Sequence, residues 1–85
     1  MSDSVLSTAD AQLDLRGTPC PLNFVRTKLR LQKMQPGQLL EVWLDAGEPI
    51  EQVPDSLVME GHGIDNIQDR GDFFALIVRH SSTSA

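Results

Sequence analysis

The sequence holds a single cysteine, Cys20, so no disulfide can form within the chain, and a reducing compartment is where such a thiol stays free for chemistry. With that cysteine and only two histidines, a zinc site is short of ligands, and neither a metal nor a cofactor is expected. Basic residues are scarce as well: seven Lys and Arg stand against twelve Asp and Glu, for a net charge of −5. A body of that sign is a poor surface for phosphates, so direct nucleic-acid binding is not expected. No apolar run approaches the roughly 20 residues that cross a bilayer. The opening Met1-Ser2-Asp3-Ser4 has neither the basic nor the apolar region of a signal peptide. The expectation is a cytoplasmic protein, free of membrane and working as a monomer.

What is present describes one small domain. A chain of 85 residues, 40% hydrophobic and 22% charged, can build one modest core and has ordinary globular composition. Residues 1 to 10 and 81 to 85 lack a clear period and are expected to be flexible tails around a single domain at 11–80. Charge is unevenly spread. Five of the basic residues (Arg16, Arg26, Lys28, Arg30, Lys33) fall in the first 35 positions, whereas nine of the acids come later. A basic helix on an acidic body suits docking to an acidic protein partner, although a basic face is also what plain solvation looks like.

Between the tails, strand and helix signals alternate. Gln12 to Arg16 reads as a first strand, stopped by Gly17-Thr18-Pro19. A helix then runs from Cys20-Pro21 to about Gln35, with Pro21 at its first position and Pro36-Gly37 as its stop. On it Phe24, Thr27, Leu31 and Met34 form one stripe suited to a sheet, and Leu22, Val25 and Leu29 lie nearly opposite. Either a partner covers the second stripe, or a loop and the stems of Arg and Lys do. Leu39 to Asp45 alternates as a strand, with Leu40, Val42 and Leu44 on one face and Leu39, Glu41 and a surprisingly large Trp43 on the other. A second helix spans about Pro49 to Glu60 through Ile50, Val53 and Leu57; Pro54 predicts a kink or a start delayed to near Val53. Ile64–Asp69 and Phe73–His80 flank Arg70-Gly71-Asp72 as a hairpin. The order β-α-β-α-β-β predicts an α+β fold, a two-layer sandwich with both helices on one face of a four-stranded mixed sheet.

Chemistry concentrates at Cys20, in Pro19-Cys20-Pro21 between strand and helix. A thiol is a weak nucleophile until it ionises, and free cysteine titrates near ~8.5. A helix N-terminus favours the thiolate, because its first N–H groups lack helical partners and the dipole adds positive charge. Cys20 at the cap would meet the N–H groups of Leu22 and Asn23, with Arg16 and Arg26 as nearby charge. The competing reading is a buried, inert cysteine. A proline-flanked turn is a poor place to bury a side chain.

Leu13-Asp14-Leu15-Arg16-Gly17, Cys20-Pro21, the basic helix, Met34-Gln35-Pro36-Gly37, Leu39–Asp45, the proline of the second helix and Leu76-Ile77-Val78-Arg79 together resemble the TusA/SirA/YedF family of small sulfur-carrier proteins. The resemblance covers residues 12 to 80, and the family fold has the element order read above. It implies that Cys20 accepts a sulfane sulfur as a persulfide from a cysteine desulfurase or rhodanese-like donor and passes it to an acceptor protein, a sulfurtransferase-like activity. Pathways of that kind include tRNA thiolation, molybdenum cofactor assembly and sulfur oxidation. The family pattern is Cys-Pro-x-Pro, and here Asn23 replaces its second proline. Asparagine restores a backbone donor and adds an amide beside the sulfur, which either strengthens hydrogen bonding there or marks a subgroup with a different partner.

Two functions follow. In one, Cys20 carries sulfur while Leu22, Val25, Leu29, Arg26, Arg30 and Lys33 dock donor and acceptor. In the other, the same fold is a non-catalytic or redox-sensitive adaptor. His62 and His80 read as surface histidines rather than as a base for Cys20. Arg70-Gly71-Asp72 reads as a turn, and Asp45, Glu48 and Glu51 as acids complementing a helix start rather than a metal site.

Overall fold

Along Leu39–Leu44 burial alternates residue by residue, with Leu40, Val42 and Leu44 fully buried. That is the pattern of a strand with one face against a core and the other open. The computed structural model, which describes residues 9–81, places this strand as β2 in the order β1 (Ala11–Asp14), α1 (Leu22–Leu31), β2, α2 (Glu48–Met59), β3 (Gly63–Asp69) and β4 (Phe74–Arg79). The sheet order is β1-β2-β4-β3. β1 pairs parallel to β2, while β4 pairs antiparallel to both β2 and β3. The expected mixed sheet is therefore observed. Most of the two expected tails lies outside the described residues. Asp10 exchanges hydrogen bonds with Leu39, donating its N–H to the carbonyl and accepting at its carboxylate, both at 2.8 Å.

One core unites both helices with one face of the sheet. Leu31 of α1 and Val53 and Leu57 of α2 share a cluster with Leu40, Val42, Leu44, Leu76 and Val78. The helices run in the same sense: Lys28 of α1 pairs with Glu60 just past α2 at 3.3 Å, while the start of α1 lies against Gln52 and Ser56. No helix among the described residues is long and apolar enough to cross a membrane.

Helix boundaries differ from expectation in instructive ways. α1 ends at Leu31 rather than near Gln35. Lys33 and Met34 donate to the carbonyls of Arg30 and Leu31, three residues back, and this tighter turn brings Met34 into the core. The start of α2 is not delayed to Val53. It begins at Glu48, after Gly47 at φ 94°, and continues through Pro54. The missing N–H of Pro54 costs the helix a bond, on the order of 3 kcal/mol in an exposed helix. Here Val53, Pro54 and Leu57 are all buried, and packing holds the helix together.

The open face accounts for Trp43. Its ring lies 4.8 Å from that of Phe73, centroid to centroid, and the Arg16 guanidinium stacks 4.8 Å from both ring centres. Its indole N–H donates to Glu41 at 2.7 Å. Arg70-Gly71-Asp72 is the β3–β4 turn, with Gly71 at φ 93° and its N–H donating to Asp69.

Candidate functional site

The chain leaves β1, turns at Gly17 (φ 81°) and reaches Cys20 just before α1. Asp45 Oδ2 accepts the Gly17 N–H at 2.6 Å, which ties this loop to the end of β2. Asp45 therefore has a structural partner here. Cys20 is partly exposed, as an accessible thiol requires. It sits one position earlier than expected, since Pro21 occupies the helix cap and Leu22 opens the helix.

That shift changes which groups face the sulfur. The N–H of Asn23 donates to Pro19 O at 3.1 Å and that of Val25 to Pro21 O at 3.0 Å. The Phe24 N–H donates to the Asn23 side-chain oxygen at 2.6 Å. The backbone donors of Asn23, Phe24 and Val25 are thus engaged elsewhere. Among the described residues the one hydrogen bond to Cys20 Sγ comes from the Asn23 side chain, Nδ2 to Sγ at 3.2 Å. Asn23 is fully buried. It belongs to the core stripe Asn23, Thr27, Leu31, at i, i+4 and i+8, with Phe24 only half-buried beside it.

The two arginines expected near Cys20 are placed otherwise. Arg16 forms a two-bond pair with Asp14 at 2.8 and 2.9 Å on the open face of the sheet, and those bonds hold the Asp14 carboxyl down at about 2. Arg26 joins Leu13, Leu29, Arg30 and Lys33 around a shallow groove between α1 and β1. Neither donates a hydrogen bond to Cys20. The histidines meet each other instead: the rings of His62 and His80 lie 5.4 Å apart, edge to face. Burial, followed by repulsion from His80, pushes His62 below its ordinary value.

A recess of about 60 Å³ opens beside the sulfur, between Cys20, Pro21, Asn23 and Phe24 on one side and Gln52, Val53 and Ser56 of α2 on the other. The α2 residues carried no sequence signal, because Gln52 and Ser56 read as an ordinary polar helix side until α2 is packed against α1. The exposed stripe does carry its signal through: Leu22, Val25 and Leu29 are 43%, 42% and 54% exposed. It starts two residues from the sulfur. The arrangement is therefore a partly exposed thiol at the rim of a small recess, beside an apolar and basic helix face.

Comparison with known proteins agrees with this fold. A SirA-like protein from Desulfitobacterium hafniense superposes with a TM-score of 0.71 at 15% identity, over 84% of this chain and 97% of that one. A protein of Archaeoglobus fulgidus named "Putative sulfur carrier protein" is 38% identical over 64 residues, 75% of this chain and 73% of its own length. One of the same name from Thermotoga maritima is 42% identical over 59 residues, 69% of this chain and 75% of its own. The family model described as Sulfurtransferase TusA matches residues 11–80, from the first residue of β1 past the last of β4, and the chain belongs to the TusA family.

Proposed function

We propose that this protein is a sulfur carrier whose Cys20 holds a sulfane sulfur as a persulfide between a donor and an acceptor protein. The observation that carries the reading is the placement of a partly exposed Cys20 beside an uncovered helix face. Its thiolate attacks the outer sulfur of the donor's persulfide; a new S–S bond forms on Cys20, the donor's S–S bond breaks, and the donor leaves as a thiolate. The second transfer repeats this exchange: the acceptor's thiolate attacks the outer sulfur, the S–S bond on Cys20 breaks, and Cys20 leaves as the thiolate. No net oxidation accompanies the thiol-to-thiol step. Leu22, Val25 and Leu29 supply apolar contact area, and Arg26, Arg30 and Lys33 supply charge for partners with acidic rims. A cysteine desulfurase or rhodanese-like protein is the donor class, tRNA thiolation or a related pathway the destination, and the reducing cytoplasm the compartment that keeps the thiol free.

Incubation with a cysteine desulfurase and cysteine should add the mass of one sulfur atom at Cys20. Cys20→Ser should abolish loading while leaving the circular dichroism spectrum unchanged. A protein that stays unmodified where an established carrier is loaded would overturn the reading.

A further inference from the structure

We infer that Asn23 is the positioning residue of the sulfur site, a buried amide that holds Cys20 Sγ and leaves a donor for the sulfur it gains. The inference deepens the carrier reading and rests on it only for the second half. Asn23 is fully buried in a helix stripe whose other members pack on the core, where a polar side chain is costly unless bonded. Both ends are bonded. Oδ1 accepts the Phe24 N–H at 2.6 Å and Nδ2 donates to Cys20 Sγ at 3.2 Å.

The first bond fixes the second. Only the oxygen can accept from an N–H, so a flipped amide would set two donors against each other at Phe24 and an oxygen against the sulfur. The NH₂ group is thereby aimed at Cys20. A neutral thiol is a weak acceptor, whereas an anionic sulfur makes a charge-assisted bond about twice as strong as a neutral one. The amide nitrogen carries two N–H donors, and one serves Sγ. Asn23 also lines the recess with Gln52 and Ser56, so the second donor is available to an outer sulfur lying there. With the Asn23 and Val25 N–H groups turned to Pro19 and Pro21, the side chain does what a helix N-terminus otherwise does.

The test uses Asn23→Asp and Asn23→Leu, which keep the branching of the side chain and remove the donor. Asp retains an acceptor for Phe24, and Leu adds no charge. Both should fold as wild type by circular dichroism and react with iodoacetamide about tenfold more slowly at neutral pH. After persulfide loading, the outer sulfur should be lost to cyanide about tenfold faster. A folded variant with the wild-type alkylation rate and the wild-type loss of outer sulfur to cyanide would overturn the inference. The two readings separate cleanly: a wild-type protein that cannot be loaded, with alkylation still dependent on Asn23, removes the carrier reading and leaves the positioning role standing.

Discussion

At the residue scale, two groups tie this protein's stability to pH in the same direction. Asp14 is held at about 2 by Arg16, so what it contributes is present above the ordinary carboxylate value and lost as pH falls through its folded one; being fully exposed, it matters little. His62 is the more informative case, since burial and His80 depress it while the unfolded chain titrates near ~6.5. The unfolded state then takes up the proton first, and stability present at neutral pH is lost as pH falls below that value. The urea midpoint should accordingly decrease between about pH 7 and about pH 5, and His62→Gln should flatten that decrease. An equal decrease in the variant would show that His62 is not its source. Acid thus acts at the α2–β3 junction, remote from Cys20.

At the element scale, α1 carries two jobs on opposite sides. Asn23, Thr27 and Leu31 face inward, while Leu22, Val25 and Leu29 remain exposed. Thr27 manages its burial by donating its hydroxyl to the Asn23 carbonyl at 2.9 Å. Lys28 is engaged with Glu60, which leaves Arg26, Arg30 and Lys33 as the basic residues of the groove. Leu29→Ser, at a position 54% exposed, should therefore change stability by no more than about 0.5 kcal/mol while slowing sulfur transfer from a protein donor. Reversing Arg26, Arg30 and Lys33 to Glu should slow that transfer by about tenfold or more, and wild-type transfer should itself weaken with salt. Unchanged transfer kinetics in both variants would move docking to another face.

At the scale of the whole molecule, the core is one layer deep, between a four-stranded sheet and two helices, and each buried side chain counts. Leu76 on the central strand β4 is fully buried opposite Val42. Leu76→Ala should cost about 2–5 kcal/mol, read as a lower urea midpoint at unchanged slope; a loss below about 1 kcal/mol would mean the helices close over the cavity. Because the same layer holds α2 against the start of α1, the variant should also loosen the recess beside Cys20.

The order of elements and the mixed four-stranded sheet were legible in the sequence, because each rests on periodicity and turn chemistry that act over a few residues; the Leu22, Val25, Leu29 stripe was legible as a pattern, and only the packing decided that it stays exposed. Cys20 was legible for the same reason, as a lone thiol in a proline-flanked turn. The sequence did not determine what bonds to the sulfur. The backbone donors expected from Leu22 and Asn23 depended on where the cap falls, and Pro21 rather than Cys20 takes that place. Tertiary structure also moved Arg16 to the aromatic pair on the open face, joined His62 to His80 and set Gln52 and Ser56 beside the cysteine. Each of these contacts joins residues far apart in the chain, so only the packing of helices on the sheet decides them. Asn23 lies between the two cases: its position in the motif was visible, but its burial and the direction of its amide came from α1 settling on the core.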